Sequence, residues 1–220
     1  MAFAFVLPAS RAYIESAGAA DARAVDADRA AAALRADYER WSRWGLGLLA
    51  FVLAVVGVFV ALGLTTTIAM LGGVPAPLDV AVVVIAALLG VAGIGMLVAL
   101  WRSGRRILRA ASWWMRLPYA TGVRQRRAAG WIEARTVNFE GRIFVRITTS
   151  SLACLMGVMG LSVLIYDAVE GPSSFTPAAV AVGAIALIAG VVQMGGVMRV
   201  VSAVAEGDPL WVRIRSGFRR

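Results

Sequence analysis

The sequence predicts an all-α integral membrane protein. The expected fold is a four-helix transmembrane bundle of two hairpins, with amphipathic helices in its N-terminal and central cytoplasmic segments. Three observations predict it. The 220 residues are 60% hydrophobic, against about 45–50% for a soluble domain, and mean hydropathy is +0.78. The apolar residues are gathered into long runs rather than spread along the chain. The positive charge is gathered too: residues 101–146 hold eleven Arg and two Glu, which matches the net charge of +9 for the whole protein. Elsewhere Arg and acids balance, six against six in 1–44 and five against five in the remainder. Loops rich in Arg stay on the cytoplasmic side of a membrane.

These features divide the chain into an N-terminal helical segment (1–44), a first transmembrane hairpin (45–100), a basic cytoplasmic loop with an amphipathic helix (101–146), a second hairpin (147–203) and a basic tail (204–220). Residues 1–20 begin apolar, but the first Arg follows the apolar piece and Pro8 interrupts it. That order does not fit a secretory signal; a short interfacial or docking segment is expected. Residues 21–44 are Ala-rich, with Asp21, Asp26 and Asp28 early and Arg35, Arg40 and Arg43 late, which suits a helix dipole. Asp26/Arg29, Asp37/Arg40 and Glu39/Arg43 have ion-pair spacing, and Leu34, Tyr38 and Trp41 form a narrow apolar stripe. The expectation is one helix running near the membrane and continuing into the first span. Its charges read as a solvated face, with a partner-docking helix as the alternative.

The first span, about Gly45–Leu71, is uncharged and exceeds the roughly 20 residues needed to cross a bilayer. A Gly-Pro turn follows at 72–77. The second span is about Leu78–Leu100, with Asp79 at its outer end as a cap. From Trp101 to Leu117 the helical period continues. Arg102, Arg105, Arg106, Arg109 and Arg116 fall on one face, and Ile107, Leu108, Ala111, Trp114 and Met115 on another. This reads as a basic amphipathic helix beside the bilayer, which Pro118 should end. Tyr119–Gly130, with its RQRR cluster, reads as loop. Trp131–Arg146 fits either a small β-hairpin or a bent helix, with helix preferred. The third span is about Ile147–Val169, opened by the hydroxyls of Thr148 to Ser151 and bounded outside by Asp167 and Glu170. Thr176-Pro177 reads as an N-cap followed by Pro at the first helical position. The fourth span runs to about Val201.

The expected topology is multi-pass in a bacterial inner membrane, with both termini and the centre inside. All seven Trp (Trp41, Trp44, Trp101, Trp113, Trp114, Trp131 and Trp211) fall in segments assigned to that side. Corresponding spans of the two hairpins lie about a hundred residues apart, a spacing compatible with duplication of a two-span unit; the halves share few identities.

Chemistry is sparse. All basic residues are Arg, and His is absent, so the commonest general base and metal ligand are missing. Cys154 is a single thiol in an apolar run and reads as a packing residue. No catalytic, cofactor-binding or metal-binding residues are expected, and no cofactor. No ionisable residue falls near the middle of a span, which argues against proton-coupled transport and intramembrane proteolysis and leaves passive pores open. Pairs with small-xxx-small spacing, Gly57/Ala61, Ala86/Gly90, Ala153/Gly157, Ala179/Gly183 and Ala186/Gly190, permit close helix contact. Gln193 is a candidate interhelical hydrogen-bond residue. Arg102, Arg105, Arg106, Arg109, Trp113, Trp114 and Arg116 are candidates for contact with anionic lipid headgroups or a partner protein, unless the arginines only set topology. Lipid is a simpler partner than nucleic acid beside a membrane, and nucleic acid is not expected. The functional expectation is a small scaffold or accessory subunit of an inner-membrane complex. The alternatives are a self-assembling pore, including a phage-type permeabilising protein, and an anionic-lipid-interacting protein. A membrane-protein partner or a homo-oligomer is implied by the first two.

Overall fold

Local sequence accounts for where two of the helices begin. A computed structural model describes residues 5–19, 22–72, 74–123, 141–171 and 173–204. The described residues are all-helical, without strands. The elements are α1 (Pro8–Glu15), a 3₁₀ turn (Ala24–Asp26), α2 (Ala27–Glu39), α3 (Trp41–Leu71), α4 (Pro77–Ala120), α5 (Gly141–Glu170) and α6 (Thr176–Val204). Four of the helices are long and apolar enough to cross a membrane. Pro8 and Pro77 each occupy the first position of their helix, where a missing N–H costs nothing. At the start of α4, Asp79 reaches back to accept the backbone N–H of Ala76 at 3.1 Å. This is the returning half of a capping box.

Three helix boundaries differ from the sequence expectation. Residues 21–44 do not run unbroken into the first apolar helix: Arg40 takes ψ 131° and separates α2 from α3. No Gly or Pro stands there. Asp37 and Arg43, on either side of the break, each make long-range hydrogen bonds, described below. Pro118 does not end α4, which continues to Ala120. A proline so close to a C-terminus forfeits little of the helix ladder, and the chain turns only at Gly122, where φ is +74°. Thr176 is the first residue of α6 rather than its cap, because the Phe175 carbonyl accepts the Ala179 N–H at 2.9 Å. The Thr176 hydroxyl instead donates to Asp167, which also accepts the Ser173 N–H at 3.0 Å. Of the ambiguous segment 131–146, residues 141–146 are helical; 131–140 lie outside the described residues, as do the RQRR cluster and the tail.

The described residues divide into two units. The first draws on the described residues within 1–43, 101–147 and 194–204. Its core joins Ala27, Ala30, Leu34 and Tyr38 of α2 to Ile107, Leu108, Ala111 and Trp114 of α4, with Val6 at one side. The α2 residues recur at helical spacing, so one face of α2 is buried. The apolar face of 101–117 is therefore covered by this chain's own N-terminal segment. Tyr13 of α1 meets Trp114 edge-on at 6.4 Å, and the Trp114 indole N–H donates to the Tyr13 carbonyl at 2.9 Å. Of the described residues in 1–20, Val6, Tyr13 and Ile14 pack against this core. A smaller cluster joins Ile143, Ile147 and Val197.

The second unit draws on 44–100 and 148–193. Its helices meet through small residues. A Cβ on Gly57 would run into the backbone of Ala86 and Gly90, and one on Gly93 would stand 2.5 Å from the Ala54 nitrogen. Residue numbers along these contacts run in opposite senses, so α3 and α4 pass antiparallel. In α5 and α6, a Cβ on Gly160 would stand 2.6 Å from the Ala179 carbonyl, and one on Gly190 would stand 2.6 Å from Cys154 Sγ. Thr65, Thr66 and Thr67 return hydrogen bonds to carbonyls one turn back, which satisfies hydroxyls on an apolar helix. The Thr66 hydroxyl also stands 2.5 Å from the Ser174 carbonyl, an alternative acceptor for its one proton. The large side chains point the other way: Leu88 is 65% and Met159 70% exposed.

Candidate functional site

Two groupings of arginine stand out in the first unit. One is buried and the other is exposed.

The buried grouping is built around Arg43, at the start of α3, and Arg146, in α5; they are 6% and 7% exposed. Arg43 donates through Nη1 to the Phe5 carbonyl at 3.0 Å and through Nη2 to Ser103 Oγ at 2.6 Å. A Cβ on Gly104 would stand 3.2 Å from Arg43 Nη2, so the glycine makes room for the guanidinium. Arg146 donates to the Tyr38 carbonyl at 2.9 Å, and its guanidinium stands 4.8 Å from the centre of the Tyr38 ring. The Tyr38 hydroxyl lies against Gly196. Asp37 is fully buried; its Oδ2 accepts the Leu7 N–H at 2.9 Å, and its Oδ1 stands 3.9 Å from Arg40.

The face expected to be solvated is thus partly interior. Glu39 is buried and pairs with Arg35 at 2.6 Å, and Asp26 pairs with Arg23 at 3.6 Å. An ion buried inside a protein needs hydrogen-bond partners to offset its lost hydration. Arg43 finds them on Phe5 and Ser103, and Asp37 on Leu7. Those attachments lie on either side of the break at Arg40. Burial holds the Tyr38 hydroxyl above its usual pKa, against the opposing pull of Arg146 and Arg43. Burial likewise lowers the Arg43 guanidinium to about 10, opposed by Tyr38 and Asp37. Arg43 remains charged at neutral pH.

The exposed grouping lies on α4. Arg102, Arg106, Arg109 and Arg116 are exposed, and Arg105 is half-buried with its guanidinium 5.1 Å from the centre of the Trp101 ring. The two tryptophans predicted alongside these arginines are placed differently. Trp114 belongs to the core, and Trp113 is half-buried and packed edge-on against it at 4.9 Å. In the second unit, Gln193 Nε2 donates to Thr149 Oγ1 at 2.8 Å, and Ser150 Oγ donates to the Gly190 carbonyl at 3.1 Å.

The buried grouping escaped sequence reasoning, although one signal pointed to it. Ser103 falls in register with Ile107, Ala111 and Trp114, so a polar residue was already placed on the buried face of α4. The arrangement as a whole positions charge; among the described residues, no group of three or more His, Cys, Asp or Glu is placed to hold a metal ion. No protein-family model, no characterised protein and no solved structure matches this chain.

Proposed function

We propose that this chain is a four-span protein of a bacterial inner membrane, folded as two hairpins with both termini and the arginine-rich centre in the cytoplasm. It would serve as a scaffold or accessory subunit of a membrane complex. The observation that carries this reading is the inversion of side-chain size in the second unit. Small residues form the helix contacts, while large apolar residues such as Leu88, Val91, Leu155 and Met159 face outward. In water such a surface would be costly, at about 25 cal/mol for each Å² of apolar area exposed. In lipid it carries no such cost, and helices there associate through small-residue contacts. Outward-facing apolar area beyond the lipid contact is available to a partner's helices.

The test is extraction from the native host in a mild detergent, with the mass of the complex measured and its subunits identified. A foreign chain in fixed stoichiometry is the expected result. A ring of identical copies would overturn the accessory role and make conductance the next measurement. A lone monomer would also overturn it.

A further inference from the structure

We propose that the face of α4 carrying Arg102, Arg106 and Arg109 binds the phosphate headgroups of anionic phospholipids at the cytoplasmic surface, an inference that rests on the membrane reading above. Three observations carry it.

The first is register. Residues 102, 106 and 109 are spaced i, i+4 and i+7 and are all exposed, so they project from one strip of the helix. Guanidinium forks match phosphate oxygens in pairs. The second is rigidity. The neighbouring strip, Ser103, Ile107, Ala110, Ala111 and Trp114, is buried. This segment therefore cannot roll over to lay an apolar face in the bilayer, as a free amphipathic helix would. Its arginines meet the headgroups from a fixed direction. Trp101, itself exposed, stacks on Arg105 at the same level, and aromatic rings favour that zone.

The third observation is depth. α4 is continuous from Pro77 to Ala120. Its apolar part, Pro77 to Leu100, is about 35 Å long at about 1.5 Å per residue, enough to cross a hydrocarbon core of about 30 Å. Arg102 to Arg109 follow within about 14 Å of Leu100, and their side chains reach back towards the interface. Arg116 lies about 24 Å beyond Leu100, past the headgroup layer. The strip is thus divided by depth into arginines that meet lipid and one that does not. Depth and the adjoining exposed apolar surface of the same helix favour lipid phosphate over an acidic protein.

The experiment uses the full chain in vesicles of equimolar phosphatidylglycerol and phosphatidylcholine. The protein is re-extracted in mild detergent and its retained lipid quantified by mass spectrometry. The wild type is expected to retain phosphatidylglycerol above the bulk ratio. Each arginine replaced at headgroup depth should lower that preference by up to about fivefold. R102Q/R106Q/R109Q should fall to the bulk ratio, R102K/R106K/R109K should keep most of the enrichment, R106Q should lower it, and R116Q should leave it unchanged. Unaltered enrichment in the triple Gln variant would overturn the proposal, and so would an equal effect of R106Q and R116Q. Equal retention of both lipids by the wild type would also overturn it and give the face to an acidic protein. Resistance to alkaline carbonate in pure phosphatidylcholine vesicles separates the two readings. Protein that resists stripping but shows no lipid preference sinks this inference alone; protein that is stripped sinks the membrane reading as well.

Discussion

Arg43 and Ser103, sixty residues apart in sequence, are joined by a 2.6 Å hydrogen bond from Nη2 to Oγ in a buried setting. The same guanidinium holds the Phe5 carbonyl, so one side chain ties the N-terminal segment and α4 to the start of α3. A hydrogen bond to a charged group contributes roughly 1.5–3 kcal/mol. Ser103→Ala should therefore destabilise the protein by about that amount. Arg43→Met and Ser103→Ala combined should cost less than the sum of the two single changes, because the second removes a bond that is already lost. Denaturant titration of the four species in detergent micelles measures the coupling.

The glycine contacts predict opposite signs for one substitution at two sites. Gly95 has open space around its Cβ position, whereas Gly57 faces the backbone of α4. Gly→Ala in an open helix position stabilises by up to about 1 kcal/mol. Overpacking a close contact costs about 1–3 kcal/mol. Gly95→Ala should raise the melting temperature and Gly57→Ala should lower it. Equal shifts would show that α3 and α4 are not in contact at Gly57.

The half-buried hydrogen bond from Gln193 to Thr149 should contribute little. Interhelical hydrogen bonds measured within membranes average about 0.6 kcal/mol. A double-mutant cycle of Gln193→Leu and Thr149→Val should return a coupling of that order. A coupling several times larger would mark the pair as part of a wider polar network.

Tyr38 and Arg43 should tilt the alkaline limb of stability in opposite directions. The Tyr38 pKa is raised by burial, so its contribution is fully present below the unfolded value near 10 and is lost as pH rises through the higher folded value. The Arg43 pKa is lowered to about 10. Its contribution is present above the unfolded value and lost as pH falls through about 10, so at neutral pH its buried charge is a cost met by Ser103 and Phe5. Tyr38→Phe should make the loss of stability above pH 10 shallower, and Arg43→Met should make it steeper. Unfolding midpoints between about pH 8 and 11 check both slopes.

By itself, the sequence determined four helices long and apolar enough to cross a membrane, the Pro77 start and Asp79 cap of α4, the φ-permissive Gly72 and the arginine face of α4. Each follows from a local rule: run length, Gly and Pro placement, an acid in a first turn, or helical period. Tertiary structure alone decided which charges are interior. Asp37, Glu39 and Arg43 have the spacing of surface ion pairs, yet all three are buried. Their side chains are satisfied partly by the Leu7 N–H, the Phe5 carbonyl and Ser103. Backbone groups look alike at every position, so no residue type announces such a partner in advance. Trp114 shows the same division. Helical period placed it on the apolar side of α4, but period cannot say whether lipid or protein covers that side. The answer came from the α2 stripe and Tyr13, which pack there from 76 to 101 residues away in sequence.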